Sequence, residues 1–303
     1  MRRLFEKYFR NFFTARWTIG LAKCDIEDII RRKTFNPVIH WLKVSGLYEY
    51  KADPFIFSTG DGYTDIIYED FSVKDDYGNI SIMRIDNKYN IIESRKVIDI
   101  QQHLSYPLVL NENGKSYIFP EAASTGKFSC YEYDNATGSA FLLRDIINLP
   151  LLDATILKHN GKYWIFGVRK LNNASLELYI FFSESLFGPY NEHKGNPVRK
   201  GLDGSRFAGN FIKVDNIIYR PAQNCEKTYG ESITIYRINL LSEQEFEEEP
   251  YMNIEIERNN KHNRNMHSIH TINAMDGIIA VDGEQWIFAP LYRIINYLKK
   301  KIF

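Results

Sequence analysis

The sequence predicts an all-β fold, a five-bladed β-propeller with short basic terminal segments. Three observations carry this reading. Short apolar or aromatic runs alternate with the turn dipeptides Asp61-Gly62, Asn113-Gly114, Asn160-Gly161, Asp276-Gly277 and Asp282-Gly283, and such turns need positive φ and join antiparallel strands as hairpins. A two-strand unit recurs at a spacing of about 50 residues, in the range of propeller blades. Aromatic residues make up 15% of the 303 residues, with 20 Tyr and 20 Phe, a load that packs well on pleated surfaces. No alternation of strands with long helices is visible, which argues against a parallel α/β fold.

The units run in order. Ala52–Phe57 leads to Asp65–Glu69. Leu104–Leu110 leads through Asn113-Gly114 to Tyr117–Glu121, and Leu152–Leu157 leads through Asn160-Gly161 to Tyr163–Gly167. Phe207–Ile212 leads to Ile217–Pro221, and His270–Ala274 leads through Asp276-Gly277 to Ile278–Asp282. The last unit needs another strand, which Arg16–Leu21 can supply, closing the ring and hiding two sheet edges. The acidic run Glu243–Glu249 is expected to be a solvated connection between blades. The expected organisation is a basic segment over 1–15, one propeller domain over 16–289 and a basic amphipathic segment over 290–303.

The 38 Lys plus Arg balance 38 Asp plus Glu, so no cationic excess exists to release counterions from a nucleic acid, and nucleic acid is not an expected partner. Cys24, Cys130 and Cys225 have neither zinc-ligand spacing nor a disulfide framework and are expected to be reduced thiols. No secretory leader follows Met1-Arg2-Arg3-Leu4, and no run approaches the length of a membrane span. A cytoplasmic location is therefore expected. Met1–Phe13 and Pro290–Phe303 admit two placements: on an anionic membrane surface, which would put the protein at the inner face of the membrane, or packed as terminal helices with the basic face in water.

In a propeller the innermost strand of each blade starts at one mouth of the channel, and the antiparallel second strand returns there. First-strand starts then contribute Asp53, Ser105, Asp153, Arg206 with Asn210, and His267 with His270. Second-strand ends contribute Glu69, Glu121, Arg169, Arg220 with Gln223, and Asp282. Asp153 between Leu152 and Ala154, and Glu121 after Phe119-Pro120, are carboxylates in apolar company. Asp53 before Pro54 fits either a turn cap or a channel acid. Arg206 and Arg220 suit equally an ion pair with these acids or a substrate carboxylate or phosphate. His267, His270 and His103 fit hydrogen-bonded blade positions, and Glu69 and Asp282 fit turns or arginine pairing. His267 and His270 would point to opposite faces of a strand and make poor metal ligands. No metal motif, Gly-rich phosphate loop, Gly-x-Ser-x-Gly elbow or Cys–His signature appears, so no cofactor is expected. The chemistry left is that of paired carboxylates flanking a glycosidic bond.

Ala52-Asp53-Pro54-Phe55 and Leu152–Trp164 resemble the blade openings of five-bladed propeller glycosidases, the arabinanase and xylosidase group (glycoside hydrolase family 43) and its fructan-cleaving relatives. The propeller domain at the N-terminus of plant glucosamine inositolphosphorylceramide transferases and related bacterial proteins is similar over roughly residues 16–288. That likeness rests on His103–Pro107, Phe119-Pro120-Glu121, Leu186–Tyr190 with Asn196-Pro197-Val198, Tyr219–Cys225 with Tyr229-Gly230, His270-Thr271 and Val281-Asp282-Gly283. The glycosidase resemblance implies Asp53 as base or nucleophile. It also exposes departures: Ser105-Tyr106-Pro107 stands where a second Asp before Pro is usual, and Asp153 where the acid is usually Glu. Glu121 can stand in for a missing carboxylate.

Two functions follow as expectations. The first is a carbohydrate-active enzyme, hydrolysing or transferring a sugar in surface-polysaccharide or glycolipid metabolism. Its acid and base would come from Asp53, Glu121 and Asp153, with Tyr106, Arg206, Arg220 and the other mouth residues holding the substrate. The second is a non-catalytic module that binds a glycan or a partner.

Overall fold

The computed structural model describes residues 13–44, 49–72, 74–172, 175–257 and 260–289, the side chains at 170–172 and 175 aside. The basic segments expected over 1–15 and 290–303 lie outside these residues, apart from 13–15. No described helix is long and apolar enough to cross a membrane.

Five antiparallel sheets form the five blades. From the channel outward, blade I is Glu49–Gly60, Tyr63–Ser72, Tyr77–Asp86 and Ile91–Ile98. Blade II is Ser105–Glu112, Lys115–Glu121, Phe128–Asp134 and Ser139–Ile147. Blade III runs Leu152–His159, Lys162–Asn172, Ser175–Ser183, with Asn191–Glu192 and Arg199–Lys200 on its outer edge. Blade IV places Asp203–Phe207 and Ile212–Val214 innermost, then Ile217–Asn224, Ser232–Leu241 and Phe246–Ile254. Blade V is closed by the N-terminal strand: Ile272–Met275, Ile278–Phe288, Phe13–Lys23, His40–Trp41. The closing register is unbroken from Phe13 opposite Phe288 to Lys23 opposite Ile278.

Positive φ at Asn113, Asn160 and Asp276 confirms their hairpin turns. Asp282-Gly283 is no turn but lies inside Ile278–Phe288. Gly283 is there because a Cβ would sit 2.6 Å from the Trp41 ring, so only glycine lets the outer strand approach. The acidic run is a connection only over Glu243–Glu245, the hairpin turn within blade IV, and its remainder is strand. Phe246–Ile254 is the outer strand of blade IV, and exposure alternates from Glu245 to Glu249, which turns Glu248 inward. Two short helical elements had no counterpart in the strand pattern: the helix α1 (Ile26–Arg32), capped by the Asp25 side chain accepting from Glu27 N, and a 3-10 turn over Ala123–Thr125.

The blades pack through aromatic contacts across their seams. Phe55 meets Tyr106 edge-on at 5.0 Å, and Phe166 meets Phe207 at 5.8 Å. Phe55, Tyr106, Phe119, Phe166 and Phe207 are wholly buried, and each such side chain stabilises the fold by about 2–3 kcal/mol. This apolar packing surrounds the polar mouth and fixes the strands that present it.

Candidate functional site

The first strands of blades I, II and III share one irregularity. Each gains one residue over its partner: between the pairs Ala52–Glu69 and Phe55–Ile67, Ser105–Glu121 and Leu108–Phe119, and Leu152–Val168 and Thr155–Phe166. The bulged residues are Asp53, Tyr106 and Asp153, at φ of 50°, 43° and 45°. Left-handed backbone at non-glycine residues costs about 1 kcal/mol or more each. The conformation turns each N–H off its own ladder toward the preceding blade. Asp53 N donates to Asp282 Oδ2 of blade V (2.9 Å), Tyr106 N to Asp53 Oδ2 (3.1 Å) and Asp153 N to Glu121 Oε2 (2.9 Å). The mouth acids thus fasten neighbouring blades together.

Around this relay the other polar groups converge. Thr271 Oγ1 donates to Asp53 Oδ1 at 2.9 Å, and His270 Nε2 lies 3.5 Å from the same oxygen. Asp282 Oδ1 accepts His270 Nδ1–H (2.7 Å) and the backbone N–H groups of His270 and Thr271. Asp153 forms a bidentate ion pair with Arg206, through Nε and through Nη2 at 2.9 Å. Gln223 donates to Asp153 at 3.4 Å and to Phe207 O at 2.7 Å. Glu69 accepts from Tyr50 OH at 3.1 Å and faces His103 at 3.7 Å. Tyr106 OH bonds Thr155 and both backbone groups of Gly209, which ties blade II to blades III and IV across the channel.

Five carboxyl groups with so few cations cannot all ionise in a buried site. Burial pushes Glu121 up to about 8, with repulsion from Asp153 adding to it and Arg206 opposing. Burial also raises Asp53 to about 6, against the pull of His270. Glu69 is raised well above the ordinary glutamate range by burial and by Asp53. For His270 burial opposes the charge, but Asp282 and Asp53 outweigh it and raise the imidazole above its usual value. The mouth therefore combines glutamates that hold their protons more tightly than usual with an aspartate that ionises more readily than Glu121.

Of the expected site residues, Asp53, Glu69, Tyr106, Glu121, Asp153, Arg206, Gln223, His270 and Asp282 share this cluster. The rest do not. Arg220 is wholly buried inside blade IV, where its Nε and Nη2 donate to Glu248 at 2.7 and 2.6 Å. It belongs to the inward-turned Glu248, not to the mouth. Arg169 lays its guanidinium over the Tyr179 ring at 4.8 Å. His267 uses its backbone N–H to bond Glu284 O at 2.8 Å. Asn210 donates through its N–H to Asn273 Oδ1 and lines a separate cavity beside α1. Glu69 and Asp282 are bonded to a tyrosine, a histidine and backbone N–H groups, not to arginines.

Sequence reasoning missed Thr271, Tyr50, Trp17 and Tyr229 as site residues. Trp17 lies against His270 with ring centroids 3.9 Å apart, and Tyr229, 49% exposed, covers the Arg206 guanidinium at 5.2 Å. Tyr229 thus offers a ring to whatever enters. Its only signal in sequence was its place in the Tyr229-Gly230 pair.

One group of potential metal ligands occurs among the described residues: Asp53, His270 and Asp282, with ligand atoms within 4.8 Å of one another. All three are already engaged by hydrogen bonds. Asp282 Oδ1 alone takes three donors, so an ion would have to displace existing bonds.

Residues 34–289 match the family described as glucosamine inositolphosphorylceramide transferase 1, N-terminal. The chain is 34% identical over 244 residues to "Glucosamine inositolphosphorylceramide transferase 1" of Arabidopsis thaliana, covering 76% of this chain and 31% of the relative. It is 31% identical over 222 residues to the protein of the same name from Oryza sativa subsp. japonica, covering 70% and 29%. The chain therefore spans about a third of the length of these curated relatives. Among solved structures it is similar to a family 117 glycoside hydrolase produced by Zobellia galactanivorans, with TM-score 0.54, 13% identity, and coverage of 80% of this chain and 88% of that one. It is also similar to an exo-β-1,3-galactanase from Phanerochaete chrysosporium, with TM-score 0.51, 12% identity, and coverage of 71% and 53%. At these identities the structural likeness shows the propeller fold.

Proposed function

This chain belongs to the family of the N-terminal domain of glucosamine inositolphosphorylceramide transferases, and from that premise we propose that its polar mouth binds a sugar and cleaves or transfers a glycosyl group. One arrangement carries the reading: Asp53 and Glu121 stand at one mouth, each accepting an N–H of the following blade, and burial sets their proton affinities apart, at about 8 for Glu121 and about 6 for Asp53. Environments that push a pair of acids apart mark the division between proton donor and base. Glu121 would give its proton to the leaving oxygen as the glycosidic bond breaks. Asp53 would attack the anomeric carbon, or take the proton of an incoming water or hydroxyl that attacks it. Arg206, held by Asp153 and covered by Tyr229, would orient the sugar. The substrate class that suits the family and the acidic mouth is a sugar-containing precursor of a surface polysaccharide or glycolipid, met at the cytoplasmic side of a membrane.

A second reading, a non-catalytic glycan-binding module, draws on a different observation. Both oxygens of Asp53 already accept a hydrogen bond, and Asp153 is locked to Arg206. Product analysis separates the two. The wild type, Asp53→Asn, Glu121→Gln and Asp153→Asn are incubated with aryl glycosides, glycans and sugar nucleotides. The enzyme reading expects turnover that falls about 10²-fold or more in Asp53→Asn and Glu121→Gln, and the released or extended product tells hydrolysis from transfer. Binding without turnover by the wild type would replace it with the binding module.

A further inference from the structure

Three cavities outside the mouth differ in how their charges are satisfied. Between blades I and II, Arg84 holds Asp65, Arg95 holds Glu93 at 3.2 Å and Lys115 holds Glu132 at 2.7 Å, so each cation on that wall already has an acid partner. The cavity beside α1 mixes Lys213 with Asp25, Glu27 and Asp276. The third is of another kind. It has a volume of about 640 Å³ and lies at the outer seam where His40–Trp41 of blade V meets the turn before Ile91 of blade I. Among the described residues its wall carries His40, Lys43, Lys88 and His262 and no carboxylate.

Among the described residues neither lysine has a salt-bridge partner, although the chain as a whole balances its charges. The acid nearest in sequence, Asp86, accepts from the N–H groups of Lys88 and Asn90, at 2.9 and 2.8 Å, and from the Asn90 amide; it feels the Lys88 charge without an ion pair and is not part of the wall. Those bonds hold the turn that aims Lys88. The same turn sets Tyr89 at φ 64° and lays its ring flat on His40, centroids 4.0 Å apart and planes 10° apart. Trp41 Nε1 donates to Asn263 Oδ1 at 3.1 Å, which draws the loop bearing His262 to the opposite side. Two lysines and two imidazoles brought together by three separate chain segments, beside a planar aromatic floor, match an anion with several oxygens on a polar head.

We propose that this seam cavity is a second binding site, distinct from the mouth, for a phosphate-bearing ligand such as a sugar phosphate or a phosphorylated lipid headgroup. The lysines would supply point charges to the phosphate, and the stacked His40–Tyr89 pair would receive the attached polyol or ring. The full chain is titrated by calorimetry with glucose 1-phosphate, with inorganic phosphate, with glucose as the uncharged control, and with phosphatidylcholine vesicles with and without phosphatidic acid. The proposal expects salt-sensitive binding of at least one phosphate-bearing probe and none of glucose at this site. Binding should weaken about tenfold or more in the Lys43→Ala/Lys88→Ala double variant, the loss of a charge-assisted contact, and should be unchanged in Glu121→Gln. Preference for glucose 1-phosphate or for the acidic vesicles identifies which source of phosphate the site takes. Absence of binding by every phosphate-bearing probe, binding that a well-folded double variant retains, or binding lost in Glu121→Gln would each overturn it.

Discussion

Replacing Glu121 by Gln tests the electrostatic description of the mouth with little change of shape. The amide oxygen can still accept the Asp153 N–H that Glu121 Oε2 accepts at 2.9 Å, so the tie between blades II and III survives. What disappears is a proton that the folded protein holds more tightly than the unfolded chain does. With a folded value of about 8 against an ordinary 4.5, the stabilisation is fully present below the unfolded value and is lost as pH rises toward the folded one. In that window the loss is about 1.4 kcal/mol per pH unit, so between pH 5 and pH 7 Glu121 alone lowers wild-type stability by roughly 2–3 kcal/mol. The carboxyl group is 11% exposed, so solvent screening takes little from this figure. Asp53 and His270, both raised, slope the same way, but they slope equally in both proteins because a protonated Glu121 and a Gln present similar fields. Urea unfolding of wild type and variant at pH 5, 6 and 7 gives the difference directly. The variant should show the shallower dependence by about that amount. Parallel pH profiles would refute the placement of a proton on Glu121 in the fold.

Further expectations follow from the same geometry. Asp153→Asn leaves the Arg206 guanidinium buried with its main partner gone and should cost about 3–5 kcal/mol by chemical denaturation, while adding Arg206→Met should recover much of the loss. Thr271→Val removes the hydroxyl donor to Asp53 Oδ1 and should raise the Asp53 pKa further, read by NMR titration of its carboxyl carbon, at a stability cost of about 1–2 kcal/mol. Gly209→Ala would place a Cβ 1.9 Å from Ile272 O at a φ of 129°; a drop of more than about 3 kcal/mol in unfolding free energy is expected, larger than most point mutations produce. If the mouth is catalytic, kcat/KM should follow a bell with limbs near about 6 for Asp53 and about 8 for Glu121.

The fold was legible because its signals are local. Asn113-Gly114, Asn160-Gly161 and Asp276-Gly277 announce positive φ within two residues, and the aromatic runs between them carry the strands. The acids at the mouth were legible for a related reason, since Asp153 and Glu121 have no local purpose in their apolar surroundings. Misplaced residues were those whose partners lie far off or in an element read wrongly. Arg220 is explained by Glu248, which an acidic run disguised as solvated until its alternating exposure revealed a strand. Asn210 sits past Gly209, whose close approach to Ile272 O interrupts the inner strand of blade IV and carries the next residues away from the mouth. Thr271 and Tyr50 act through single hydroxyl bonds to acids on other strands, and a lone hydroxyl leaves no pattern. Nothing local foretold the three bulges either, although Pro54 and Pro107 each follow a bulged residue and exclude ordinary helical backbone there.

The seam of blade V has a consequence for assembly in time. Phe13–Lys23 precedes blades I to IV in the chain, yet its partner Ile278–Phe288 follows them. While blades I to IV, each built from contiguous chain, emerge and can form, the first strand must wait with an open edge. A circular permutant that joins the two seam strands covalently and opens the chain between two other blades would let blade V fold from neighbouring segments. It should refold faster from denaturant than the natural order while ending in the same ring.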